Sequence, residues 1–188
     1  ADPTQGHCAI TDMVELHRAI HERYIARLDA SHPMTGGAQC SINRIAGGHG
    51  VNIIPDHCEA DLDRRIVPGE SVDAVGPALQ SLLDDLAAAR PEFDAHLEQS
   101  FAAPPLSQDH NGALSRFVQR ALASCGLPDE PIGVAYATDA GPLDAADVPA
   151  VVLGPGDIAQ AHTKDEHIEL DQLHRGVEMY HAIMRTTV

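Results

Sequence analysis

The stretch Gly154-Pro155-Gly156-Asp157-Ile158-Ala159-Gln160-Ala161-His162-Thr163-Lys164-Asp165-Glu166 gathers the residue types best suited to chemistry in this chain. A neutral imidazole at His162 can ligate a metal ion, and the carboxylates of Asp165 and Glu166 can orient its ring or a substrate. Glycines at 154 and 156 let backbone amides approach a ligand closely. The plainer readings are a solvated loop histidine, ordinary turn glycines and solvated acids. A second histidine pair, His17 and His21, has the four-residue spacing of the zinc-hydrolase pattern H-E-x-x-H. The residues between them are Arg18-Ala19-Ile20, so the catalytic glutamate of that pattern is missing and polar helix-surface histidines are the better reading.

The His162 loop needs something rigid before it. Val148 to Leu153, with Pro149 inside, is a short apolar run suited to a buried parallel strand. Gly-Pro-Gly then breaks that strand at its carboxyl end, which is where open α/β sheets bind ligands.

Composition narrows the partners. The 188 residues carry 28 acidic and 12 basic side chains, a formal net charge of −16. That surface repels phosphate backbones and anionic membranes, so neither nucleic acid nor membrane is an expected partner. Aromatic residues are scarce and tryptophan is absent, which leaves an aliphatic core. Cys8, Cys40, Cys58 and Cys125 lie far apart without a C-x-x-C pair, against zinc-ribbon and thioredoxin patterns. Spaced free thiols fit a reducing cytoplasm. No apolar run reaches membrane-spanning length and no signal peptide is expected; the opening residues read like the middle of a protein.

Along the chain, Met13, Leu16, Ile20, Tyr24 and Leu28 mark an amphipathic helix over about 12–28. Ser31 to Gly37 is a breaker cluster. Strands are expected at 38–45 and 57–67. In the second, Cys58, Ala60, Leu62 and Ile66 alternate with Glu59, Asp61, Asp63 and Arg65, the pattern of an antiparallel sheet with one face on a core. Ser71 is a candidate N-cap for a helix carrying Val72, Val75, Leu79, Leu82, Leu83 and Leu86. Phe93 to Phe101 alternates again as a strand. Residues 1–103 therefore read as an α+β unit with helices on one face of an antiparallel sheet. Ala102 to Ser107 is the expected junction. Beyond it come a helix through Leu114–Leu122, strands at 132–137 and 149–153, and a final helix from Leu170 to Met184. Two strands and two helices are too few to close a parallel sheet, so 104–188 reads as the tail of a larger α/β domain.

Three segments, taken in order, resemble the di-zinc amidohydrolase family that includes acetylornithine deacetylase, succinyl-diaminopimelate desuccinylase, carboxypeptidase G and aminoacylase. They are Gly47-Gly48-x-x-Val51-Asn52-Ile53-Ile54-Pro55-Asp56-x-Cys58-Glu59 continuing to Asp63-x-Arg65-x-x-Pro68-Gly69-Glu70; Thr138-Asp139-Ala140; and Gly154-Pro155-Gly156 leading to Ala161-His162-x-x-Asp165-Glu166. The resemblance implies an α+β lid domain at 1–103, lacking its first strand and used for dimerisation. It implies that 104–188 is the C-terminal part of an α/β zinc-peptidase-like catalytic domain.

By that resemblance His162 matches the C-terminal zinc-ligating histidine, with Glu166 as its supporting carboxylate. Asn52 and Arg65 match lid residues that reach toward substrate, an amide for a developing oxyanion and a guanidinium for a carboxylate. Arg65 alternatively pairs with the acidic face around it, and Asn52 is alternatively a turn residue. Thr138 and Asp139 match a loop beside the site, although Ala137 stands where a glycine is common. The implied cofactor is zinc, two ions per complete site, with cobalt possible. The implied reaction is removal of the acyl group from an N-acyl amino acid, most like acetylornithine deacetylase; a desuccinylase, carboxypeptidase or dipeptidase is the alternative. The family's other ligands and its general-base glutamate have no counterpart in this sequence. The 188 residues alone are therefore expected to be inactive, or to act as a lid-derived homodimerising module.

Overall fold

The computed structural model describes residues 6–186, and its chain falls into two compact units, Ala1–Pro104 and Pro105–Val188. In the first unit, α1 (Ala9–Ala19) runs on through a π-turn at Ile20–Tyr24 and a 3-10 turn at Ile25–Arg27. The helix is thus one turn longer at its start than the apolar stripe indicates. A two-residue ribbon, β1 (Ser31–His32) with β2 (Gly36–Gly37), occupies the breaker cluster. The main pairing is antiparallel, β3 (Gln39–Gly47) with β4 (Cys58–Arg65), in a register from Gln39 opposite Arg65 to Gly47 opposite Cys58. An irregularity between Ile42 and Arg44 adds one residue on β3 and turns that strand. After a 3-10 turn at Val72–Ala74, α2 spans Val75–Ala89.

The alternation in β4 does what its pattern predicts. Ala60 and Leu62 lean toward the helices, while Glu59 and Asp61 stay in solvent, each within reach of the Arg44 guanidinium (2.6 and 3.1 Å). Ala19, Ile20 and Leu82 form the buried centre of this unit, covered by Leu16, Tyr24, Ile25, Ile42, Leu62 and Leu86. Arg64 is the polar exception on the inner face. Its side chain is 7% exposed and is paired with Glu70, and its Nε donates to the Tyr24 hydroxyl at 3.2 Å. A second buried polar knot joins the ends of the two helices. Asp12 near the start of α1 pairs with His7 and, at 2.8 Å, with Arg90 just past α2.

Three sequence expectations fail here. Phe93–Phe101 forms no ladder; Phe93 is instead a buried anchor whose amide closes a turn onto the Arg90 carbonyl (2.9 Å). Ser71 precedes the 3-10 turn without a side-chain cap, and α2 itself starts after Ala74. The expected α-β-β-α-β order therefore ends at α2: the unit holds the β3–β4 pair and the small β1–β2 ribbon, with no strand after α2 among its described residues.

The second unit is built from α3 (Gln108–Ser124), the short α4 (Ala140–Ala145) and α5 (Leu170–Arg185). Val118 and Leu122 of α3 pack on Met179 of α5, with Val151, Leu153, Phe117 and Ile183 around them. The expected strands at 132–137 and 149–153 do not form, and no parallel pairing exists among the described residues. In the second segment, side chains take the backbone groups that a neighbouring strand would take. The Ala150 amide donates to Asn111 Oδ1 at 2.6 Å, and the Tyr180 hydroxyl donates to the Leu153 carbonyl at 3.0 Å. Helices with two small antiparallel sheets make the chain α+β.

Candidate functional site

The Gly154–Glu166 segment is held against α5 at two points. Tyr180 binds the Leu153 carbonyl, and Pro155 lies against Gly176 so closely that a β-carbon there would sit 2.8 Å from the proline ring. Gly176, inside a helix where glycine costs stability, is therefore required by the close approach of the loop. Sequence reasoning passed over it; a lone glycine within an apolar helical pattern was the available signal. Gly156 has φ 111°, a region closed to other residues without strain, whereas Gly154 has ordinary φ and open space around it.

The chain then descends in short turns. Asp157 accepts the Ala159 amide on its carboxylate (2.9 Å) and starts a 3-10 turn at Ile158–Gln160. The Thr163 hydroxyl donates to the Gln160 carbonyl at 2.8 Å. Between them His162 takes φ 60°, one of two non-glycine residues with positive φ among the described residues, and its backbone amide donates to Glu166 Oε2 at 3.0 Å. His162 and Glu166 are thus brought together, but through the peptide of His162 and not through its ring. The imidazole is exposed.

The other expected site residues are placed as follows. Thr138 accepts the Ala140 amide on its hydroxyl (3.2 Å), and Asp139 is the residue before α4, its carbonyl accepting from Leu143 (3.1 Å). Both shape the entry into α4. In the first unit, Asn52 is exposed in the turn closed by the Ile53 amide on the Gly50 carbonyl (3.2 Å). Arg65, at the exposed end of β4, donates from Nε to Asp63 at 2.8 Å, the acidic-face pairing that was its alternative reading. His17 of α1 and His21 of the following π-turn lie with ring centres 4.5 Å apart and planes tilted by 36°, as polar helix histidines.

The most deeply satisfied polar cluster is one the sequence did not announce. Asn111, 3% exposed, donates to the Ser107 carbonyl (2.7 Å) and to Asp144 (2.8 Å) while accepting the Ala150 amide. Asp144 also accepts the Ser107 amide at 2.9 Å. These bonds join the start of α3 to α4 and to the segment leading into Gly154. They position the loop without contributing chemistry of their own.

A pair of zinc ions needs several deprotonated ligands around each metal. Among the described residues, no group of three or more His, Cys, Asp or Glu side chains is arranged to hold a metal ion. His162 is a single candidate ligand, so the residues of this chain do not by themselves fit a resident metal pair.

The chain thus presents an exposed imidazole on its glycine-bounded loop and an outward arginine at the end of β4. It belongs to peptidase family M20/M25/M40, whose sequence model matches residues 6–186. The N-acetyl-L-citrulline deacetylase of Xanthomonas campestris is 35% identical over 153 residues, 79% of this chain and 39% of that protein. The acetylornithine deacetylase of Myxococcus xanthus is 28% identical over 135 residues, 72% of this chain and 34% of that protein. The crystal structure of a tripeptidase from Staphylococcus aureus superposes on 97% of the chain and 46% of its own, with TM-score 0.63 and 19% identity. The chain thus spans well under half the length of the curated relatives it matches. No helix among the described residues is long and apolar enough to cross a membrane.

Proposed function

We propose that this chain is part of a metal-dependent hydrolase that removes the acyl group from an N-acyl amino acid. The observation that carries the reading is its 35% identity with N-acetyl-L-citrulline deacetylase along 79% of the chain, within a family match over residues 6–186. On this reading residues 1–103 are a lid and 104–188 the C-terminal part of the catalytic domain. Arg65 exchanges Asp63 for a substrate carboxylate, and Asn52 donates to the acyl oxygen. Thr138, Asp139, Gly154 and Gly156 line the substrate. His162 is one ligand of the metal pair, zinc or cobalt, with Glu166 holding its backbone. The remaining ligands and the general base come from outside these residues, so the chain alone is inactive. A cytoplasmic location suits its four unpaired thiols.

The test is deacylation of N-acetylcitrulline, N-acetylornithine and N-succinyl-diaminopimelate with zinc or cobalt supplied. It uses the chain alone and the chain joined to the N-terminal portion of the Xanthomonas enzyme. Turnover by the joined protein, lost on His162→Ala, is expected. Failure of every N-acyl amino acid would overturn the reading.

A second reading is favoured by one feature, the two-stranded β3–β4 sheet, whose outer edges have no ladder partner among the described residues. Such edges are templates for pairing with a second copy. A stable homodimer in sedimentation that neither binds metal nor gains activity when completed would support an inert dimerising module.

A further inference from the structure

His17 and His21 take no part in the deacylation proposed above. His17 stands in the last turn of α1, and His21 lies four residues on, in the π-turn that continues the helix. Residues at this spacing share a helix face, with β-carbons about 5–6 Å apart. The two rings have centres 4.5 Å apart and planes tilted by 36°. His21 is exposed and His17 half-buried. The histidines that pair with a carboxylate among the described residues are His7, His57, His110 and His167, so the nitrogens of this pair carry no such partner.

The ring separation selects a geometry. With metal–nitrogen bonds of about 2.0–2.1 Å, two imidazoles at right angles on one ion have ring centres about 4.5 Å apart, against about 5.2 Å at the tetrahedral angle. The observed spacing is the right-angled one. Nickel and copper take square-planar or tetragonal sites, whereas zinc prefers the tetrahedral arrangement. Rotation of a histidine ring about its Cβ–Cγ bond is broad, so a nitrogen of each ring can be turned to one point without moving the helix. The surroundings suit a cation. Arg18 is held by Glu15 at 2.9 Å and by Glu22 at 3.4 Å, two carboxylates to one guanidinium. Arg18 also stands where H-E-x-x-H carries its glutamate, so the pair can hold an ion but has no base to activate a bound water.

We propose that His17 and His21 form a two-histidine site for a divalent nickel or copper ion, with water in the remaining positions. The ion ties the last turn of α1 to the π-turn. At that junction the helical ladder is irregular: the Ile20 amide is shared between the Leu16 and His17 carbonyls, and the Ile25 amide between those of Ile20 and His21. An ion held by both rings binds the folded chain in preference to the unfolded one and therefore stabilises it.

The test titrates the full chain with nickel by calorimetry; nickel is the probe because the free thiols of the chain do not reduce it. Two linked ligands bind about 10²–10⁴ times more tightly than one, so His17→Ala and His21→Ala should each weaken nickel binding about 100-fold. His49→Ala, in the loop after β3, should leave it unchanged. Alanine is the strongest helix former, so both helix variants keep the fold. Saturating nickel should raise the urea midpoint of the parent and of His49→Ala, and leave that of His17→Ala and His21→Ala where it was. Nickel affinity that survives either helix substitution, or a midpoint that nickel raises equally in the parent and in His17→Ala, overturns the proposal.

Discussion

The carboxylate of Glu166 accepts the backbone N–H of His162 at 3.0 Å, while His162 itself stands at φ 60°. A β-carbon at positive φ crowds its own carbonyl, a cost of about 1–2 kcal/mol that glycine does not pay. The fold therefore accepts strain in order to keep an imidazole at this point of the loop. His162→Gly should stabilise the protein by about 1 kcal/mol in urea titration, and His162→Ala should not, since alanine keeps the β-carbon. Glu166→Ala should cost roughly 0.5–1.5 kcal/mol, with Glu166→Gln milder because it retains an acceptor. Equal stability of the glycine and alanine variants would show that the backbone strain at 162 is not felt.

Much of the first unit was legible in the sequence, because its elements are stabilised by periodic patterns. The three- and four-residue steps from Met13 to Tyr24 and the alternation from Cys58 to Arg65 each bury a face, and burial is what periodicity reports. The expected strands at 93–101, 132–137 and 149–153 failed for a different reason. A strand needs a neighbour's backbone, and apolar composition says nothing about whether one is present. At Ala150 and Leu153 the polar groups went to Asn111 and Tyr180, long-range side-chain bonds that no local pattern encodes. The site residues were legible as types and spacings. That Glu166 binds the peptide of His162, and that Gly176 receives Pro155, depended on tertiary approach.

Asn111 offers the sharpest test of what positions the loop. Its amide satisfies Ser107, Asp144 and Ala150 at once in a site 3% exposed. Asn111→Ala leaves the Ala150 amide without its acceptor and takes one donor from Asp144, which keeps the Ser107 amide, and should cost about 2–4 kcal/mol, more than the side-chain volume lost. Asn111→Asp should be as damaging, because it removes the donor and sets two carboxylates together. Amide exchange at Ala150 should accelerate in both; protection there equal to the parent would discount the network.

The neighbouring arginines of β4 should separate structure from function. Arg64 is 7% exposed and paired with Glu70, so Arg64→Ala leaves a largely shielded carboxylate with only the Val67 amide and should cost about 3 kcal/mol. Arg65 is half-exposed on Asp63, where an ion pair is worth about 0–1 kcal/mol, so Arg65→Ala should barely move the unfolding midpoint. In the completed enzyme the same Arg65 change should raise KM for an N-acyl amino acid and spare substrate amides that lack the free carboxylate. An equal loss on both substrates would mean that Arg65 does not clamp a carboxylate.

Cys40 fixes the direction of one pH effect. Burial raises its thiol above the ordinary value of about 8.5, so the folded chain holds that proton more tightly than the unfolded chain does. The associated stability is fully present below the unfolded value and is lost as pH climbs through the folded one. The urea midpoint should fall between about pH 8 and pH 10.5, the range over which an ordinary thiol titrates. Cys40→Ala, whatever its constant packing cost, should make that fall shallower. Cys58, also raised by burial, retains part of the slope in that variant. Parallel midpoint curves for parent and variant across this range would show that Cys40 ionises alike in both states, and that its burial carries no electrostatic weight.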